Sequence, residues 1–144
     1  MIVRELMTSA VITVLPSMPM FEARDLMRKE RIRHLPVTTL HGRLLGIVTD
    51  RDIRLNLPSQ ATSLSMWEVN HLLAQLTVGD VMTETVISVG PSLPAREAAQ
   101  LMVDHRIGAL PVEDAGRLVG IITETDLLRA LTKLEAPVGM AGRP

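Results

Sequence analysis

Apolar and polar positions along the chain form one pattern that runs twice. Val11-Ile12-Thr13-Val14 is a short β-branched run that predicts a strand, and Val86-Ile87-Ser88-Val89 repeats it. Pro16-Ser17-Met18-Pro19 and Pro91-Ser92-Leu93-Pro94 come next. They predict helix starts, with serine as N-cap and proline tolerated in the first turn. Ala23, Leu26 and Met27, and then Ala98, Leu101 and Met102, recur at helical spacing. Leu35-Pro36-Val37 and Leu110-Pro111-Val112 predict short strands. Each proline lacks an N–H and so places its strand at an edge or a start. A glycine turn follows, His41-Gly42-Arg43 or Ala115-Gly116-Arg117, then an apolar strand, Leu44–Val48 or Leu118–Ile122. A helix beginning near Asp50 or Glu124 closes each copy.

Aligning residues 3–54 with 78–128 gives 25 identical pairs and one single-residue gap. Met7/Met82, Pro16/Pro91, Met27/Met102, Gly46/Gly120, Thr49/Thr123 and Asp52/Asp126 are among them. This is a tandem duplication, and two copies suit a pseudo-twofold pair rather than an open solenoid. The expected division is repeat 1 over 1–56, a connector over 57–77, repeat 2 over 78–134 and a flexible tail over 135–144. Within the connector, Leu57–Thr62 reads as a loop. Ser65-Met66-Trp67-Glu68 has capping-box spacing and opens an apolar helix.

Composition narrows the function. Apolar residues make up 47% of the 144, enough for a packed core, and aromatics only 1%, so Val, Ile, Leu and Met must fill it. A net charge of −1 argues against a surface built for nucleic acid or for acidic membranes. Without cysteine there is no disulfide or thiolate metal site. No apolar run reaches the roughly 18 residues of a membrane span, and the N-terminus has no signal-peptide pattern. The expectation is a cytoplasmic protein.

Candidate chemistry sits where the last strand of each copy runs into a helix, at Gly46-Ile47-Val48-Thr49-Asp50-Arg51-Asp52 and Gly120-Ile121-Ile122-Thr123-Glu124-Thr125-Asp126. Thr-x-x-Asp fits a helix cap, in which hydroxyl and carboxylate satisfy orphan N–H groups. The same geometry suits a ligand. Free N–H groups at a helix start attract phosphate, and a carboxylate just inside accepts hydrogen bonds from ribose hydroxyls. Spacing alone favours the cap and leaves the ligand open.

Strand, helix, Leu-Pro-Val, turn and Gly-Ile-(Val/Ile)-Thr-x-x-Asp, all in duplicate from about Val3 to Leu131, resemble a tandem pair of CBS domains (a Bateman module). The order of pieces is also similar to stand-alone bacterial CBS proteins of the acetoin-utilisation accessory type. The resemblance implies an α/β (α+β) fold, two halves each with a small sheet and two helices, packed sheet to sheet. It implies adenosyl ligands (AMP, ADP, ATP or S-adenosylmethionine) in two clefts, with no obligatory cofactor. Ribose and phosphate contacts carry over to Thr123 and Asp126, and to Thr49 and Asp52. Ile107, Gly108, Ala109 and Pro111 would line the base slot of the second site, joined by Thr85, Val86 and Ile87, with His105 and Arg106 near the phosphates. Arg33, His34 and Pro36 are the first-site counterparts. The bulk of Arg33 and His34 makes the second site the better candidate. By the same resemblance the protein is a homodimer that signals to a separate effector protein.

Other residues suggest little chemistry. His34, His41, His71 and His105 form no metal-ligand pattern, and the nine methionines fit core filling. Trp67 is expected to anchor the connector helix, within the chain or against a second subunit. No phosphate loop, nucleophile elbow or paired-carboxylate pattern is present, which points away from an enzyme. The competing expectation is a structural dimerisation module whose Thr-x-x-Asp corners only cap helices.

Overall fold

The computed structural model describes residues 1–56 and 65–141. The loop expected over Leu57–Thr62 and residues 142–144 lie outside the described residues. The elements in order are α1 (Val3–Leu6), α2 (Met20–Glu30), β1 (His34–Thr38), β2 (Leu44–Thr49), α3 (Asp50–Leu55), α4 (Met66–Gln75), α5 (Val78–Val81), α6 (Ala95–His105), β3 (Ala109–Asp114), β4 (Arg117–Thr123) and α7 (Glu124–Ala141). The fold is mixed α/β, with two antiparallel hairpins, β1–β2 and β3–β4, among helices.

Two compact units form, and neither coincides with a sequence repeat. One takes residues 12–86, the other residues 1–11 together with 87–144. The leading segment of each repeat therefore folds into the unit holding the other repeat's hairpin. In the first unit Val78 is fully buried in a core of Val14, Met20, Ala23, Met27, Leu35, Val37, Val48 and Ile53. In the second, Val3 is fully buried with Val89, Ala98, Met102, Leu110, Val112 and Ile122. Backbone bonds hold the leading segments in place. Val78 N donates to the Met18 carbonyl (2.8 Å) and Val3 N to that of Leu93 (2.8 Å). The matched Met27 and Met102 lie in these cores, as expected of flexible apolar fillers.

Two sequence expectations need correction. Val11–Val14 and Val86–Val89 are not strands. Each makes one parallel bridge, Val14 to Val37 and Val89 to Val112. The reason lies in the prolines. Pro36 and Pro111 point their carbonyls at the Val14 and Val89 N–H groups (3.1 and 3.0 Å). On that edge a proline has no N–H to return, so the ladder stops after one residue. Nor do Ser17 and Ser92 cap helices. Pro19 and Pro94 occupy the cap position and make no side-chain bond. A proline biases its predecessor away from the helical region, which disfavours Met18 and Leu93 as first helical residues, and each helix starts after its proline. The free N–H of Met20 instead donates to the Leu76 carbonyl, and that of Ala95 to the Met1 carbonyl (both 2.9 Å).

The hairpin turns follow the sequence. Gly42 (φ 83°) and the Ala115-Gly116 pair (φ 52° and 79°) adopt the left-handed backbone that tight turns require. α4 starts at the expected cap, where Glu68 N donates to Ser65 Oγ (3.2 Å) and Ser65 N to Glu68 Oε1 (3.3 Å). Trp67 is not buried within the chain. It is 73% exposed and stacks on His71, ring centres 5.4 Å apart. α7 continues through Pro137 to Ala141, past the boundary suggested at 134. No helix among the described residues is long and apolar enough to cross a membrane.

Candidate functional site

Both Thr-x-x-Asp corners are built alike. Thr49 is extended (φ −118°, ψ 164°) as β2 ends, and α3 begins at the next residue. Thr49 N donates to Asp52 Oδ2 (2.8 Å), Thr49 Oγ1 donates to the same oxygen (3.0 Å), and Asp52 N donates back to Thr49 Oγ1 (3.2 Å). The second corner repeats this with Thr123 and Asp126 at 2.9, 3.1 and 3.3 Å. Each pair is therefore a closed capping box, the outcome the spacing favoured. It engages only Oδ2 of each aspartate. Asp126 Oδ1 faces Arg129 Nη1 at 3.9 Å, and the Asp126 side chain is 11% exposed. An acceptor thus remains for a further donor.

The stretch before each Leu-Pro-Val is tied to its corner. Glu124 N donates to the Gly108 carbonyl and Asp50 N to that of Arg33 (both 3.0 Å). Ala109 pairs with Thr123 and His34 with Thr49 in the two hairpins. Thr123, Asp126, Gly108 and Ala109 thus come together in one unit, and Thr49, Asp52, Arg33 and His34 in the other. The polar and charged groups differ between corners. Arg33 and Arg51 are exposed around the first, while the second has Gly108 and the exposed Thr125 at those places.

The remaining candidate residues are distributed over both units. Pro36 and Pro111 are fully buried and present no surface to a ligand; they belong to the core because β1 and β3 run through it. Arg106 and Ile107 line a groove of about 470 Å³ between α6 and α7, with Glu124, Leu127 and Leu128. Asp126 borders a different cavity. Arg106 ends α6 in the left-handed region (φ 54°), and His105 is exposed in the last turn. Ile87 packs against the core beside Val89, whereas Thr85 and Val86 belong to the 12–86 unit. Among the described residues no group of three His, Cys, Asp or Glu is placed to hold a metal ion.

The structure adds residues not singled out from the sequence. Arg129 and Lys133 border the cavity beside Asp126, together with Glu5. Spacing of three and seven residues after Asp126 on a helix was the available signal for the two cations. Nothing local points to Glu5, which arrives from the exchanged leading segment.

Two glycines explain how that exchange is possible. A Cβ on Gly46 would lie 2.7 Å from the Thr83 carbonyl and 2.8 Å from Met82 Sδ. One on Gly120 would collide with Met7 Sδ and meet the Thr8 carbonyl at 3.1 Å. The leading segments cross β2 and β4 at these bare positions, bonded by Ile47 N to Thr83 O and Ile121 N to Thr8 O (both 3.0 Å).

The pattern of two such hairpin-and-corner copies matches one known domain, whose signature covers residues 3–59 and 78–133. The chain belongs to the CBS domain family. Among CBS proteins it is 35% identical to the CBS domain-containing protein YhcV of Bacillus subtilis, over 87% of this chain and 81% of that protein. A putative acetoin utilization protein (AcuB) from Vibrio cholerae has the same fold, with TM-score 0.78 and 31% identity over 100% of this chain and 98% of that one. The CBS domain pair of MJ0100, solved with 5′-methylthioadenosine and S-adenosyl-L-methionine, matches with TM-score 0.76 and 29% identity, covering 94% and 98% of the two chains. CBSX2 in complex with AMP matches with TM-score 0.76 and 29% identity over 92% and 97%.

Proposed function

We propose that this CBS pair is a regulatory module that binds an adenosyl ligand, a nucleotide such as AMP or S-adenosylmethionine, and relays its level to a separate effector protein in the cytoplasm. The observation that carries the reading is the state of Asp126. Its carboxylate is oriented by Thr123 through one oxygen and keeps the other available beside a cavity. A pre-oriented acceptor of this kind suits a sugar hydroxyl. Related pairs hold adenosyl compounds, which supports the choice of ligand. Binding alone then suffices, and the ligand shifts the module between states by its differential affinity for them. The test is calorimetric titration with AMP, ATP, S-adenosylmethionine and NAD. Micromolar binding of at least one, weakened tenfold or more by Asp126→Asn, is the expected result. Heats indistinguishable from buffer for all four remove the reading.

A second reading has an observation of its own. Both Thr/Asp pairs already complete each other's hydrogen bonds as caps, as a scaffold with vestigial sites requires. It predicts no shift in melting temperature with any of these compounds.

We also propose a homodimer. Val103, Leu128, Leu131 and Leu134 are 71%, 62%, 51% and 63% exposed on α6 and α7, more apolar surface than helices facing water usually show. Light scattering should give a dimer for the native chain and a monomer for Leu128→Asp.

A further inference from the structure

The groove beside Val103, Arg106, Glu124 and Leu128 has a twin face in the other unit, and the two are chemically unlike. In the repeat alignment Val103 matches Arg28, Arg106 matches Arg31, Glu124 matches Asp50 and Leu128 matches Arg54. The backbone is the same at both places. Arg31 ends α2 as Arg106 ends α6, in the left-handed region (φ 56° and 54°). Asp50 N and Glu124 N make matched bonds to the Arg33 and Gly108 carbonyls (both 3.0 Å). The floor is also kept, because Met27 and Ile53 are buried and Ile32 packs against the same core. The rim is not. One cation and one carboxylate among apolar side chains become three arginines against the one carboxylate of Asp50. Arg28 and Arg31 are exposed, and among the described residues neither makes an ion pair. The Arg54 side chain is 69% exposed and 3.7 Å from Asp50 Oδ2, a surface pair that holds it weakly. Arg24, the match of Ala99, is committed instead to α4, where its Nη2 donates to Asn70 Oδ1 (3.3 Å).

The chemistry of this face defines its partner. The three cations of the rim are guanidiniums, the group that grips a carboxylate by two parallel bonds. An apolar floor under a cationic rim fits a segment with both apolar and acidic side chains, such as an amphipathic helix edged with Asp or Glu. A second copy does not fit. Twofold pairing would set the face on itself, arginine against arginine. The α6–α7 face, with its balanced rim, meets no such obstacle. Nucleic acid fits poorly as well. Residues 12–86 carry eight Lys and Arg and eight Asp and Glu, so the positive charge is a local patch and does not extend along a phosphate backbone. We infer that the α2–α3 face of residues 12–86 docks an acidic amphipathic segment of a partner protein, with Arg28, Arg31 and Arg54 as its carboxylate contacts. The inference rests on the reading above for the existence of a separate effector, and the adenosyl ligand plays no part in it.

The probe is a fluorescent peptide with Leu and Glu at helical spacing, titrated against the full chain by anisotropy. Its control is the same peptide with Gln in place of Glu. The native chain should bind the Glu peptide about tenfold more tightly than the Gln peptide at low salt. Raising salt should narrow the preference. The variant Arg28→Gln/Arg54→Gln, with both positions on the surface, should melt as the native chain does and bind the Glu peptide about fivefold or more weakly. Arg43→Gln/Arg96→Gln removes two exposed arginines elsewhere and should bind it as the native chain does. Equal affinity for the two peptides overturns the inference, as does an equal loss in both variants. A single-stranded oligonucleotide of the same charge that binds the native chain more tightly than the Glu peptide overturns it in favour of nucleic acid. A change of mass in light scattering with Arg28→Gln/Arg54→Gln overturns it in favour of a second copy. Each of these failures leaves the adenosyl reading standing, because the calorimetric titration decides that separately.

Discussion

Asp126 uses its two carboxylate oxygens differently. Oδ2 caps α7 through Thr123, and Oδ1 lies 3.9 Å from Arg129 Nη1. The cap and the proposed ligand contact separate by substitution. Asp126→Ala removes the cap and should cost about 1 kcal/mol, read as a lower urea midpoint. Asp126→Asn keeps a carbonyl oxygen where Thr123 donates, so its midpoint should stay near the native one. Ligand loss in the asparagine variant then reports on binding alone, while the alanine variant mixes binding with stability. The capping role was legible from Thr-x-x-Asp. The division of labour between the two oxygens was not, because spacing cannot say which oxygen the threonine takes.

At the scale of the element, the short leading helices matter more than their length suggests. α5 is held by Thr77 N donating to Asp80 Oδ2 at 2.9 Å. That backbone N–H first, and the Thr77 hydroxyl second, hold the Asp80 carboxyl below its ordinary pKa. A depressed folded value means a contribution present above the unfolded pKa and lost as pH falls through the folded one. Urea midpoints followed from neutral into acid pH should therefore fall less for Asp80→Asn than for the native chain in that last acidic stretch. The crossing points are less forgiving. Gly46→Ala places a methyl 2.7 Å from a backbone carbonyl that cannot swing away, and Gly120→Ala collides first with the movable Met7 thioether. Both should cost about 1–3 kcal/mol of stability as overpacking does, read as a lower urea midpoint, with Gly46→Ala the larger loss. The glycines were visible as repeated positions, but only the crossing leading segments explain them.

For the whole molecule, the consequence of exchange is that a sequence repeat is not a folding unit. Residues 12–86 contain their complete core, Val78 included. A fragment ending before residue 78 leaves the Val78 position unfilled, forfeiting about 1.5–3 kcal/mol from that side chain alone. A 12–86 fragment should melt cooperatively by circular dichroism, and a 1–56 fragment should not. A cooperative 1–56 fragment would contradict the unit boundaries.

What the sequence determined by itself was whatever depends on neighbours along the chain. The duplication, the helical stripe of Ala23, Leu26 and Met27, the glycine turns, the α4 cap at Ser65 and the two Thr-x-x-Asp boxes all follow from local spacing and backbone preference. Tertiary structure decided which surfaces meet. Val3 and Val78 are matched valines and Met7 and Met82 matched methionines of the two repeats, so the sequence alone cannot assign either member of a pair to a core. Packing assigned each to the hairpin of the other repeat. That choice carried Glu5 to the side of Arg129 and Lys133, and it reduced Val11–Val14 to one bridge against a proline edge. A chain encodes the apolarity of a face locally, but the identity of the face it meets is settled only when distant segments compete for the same space.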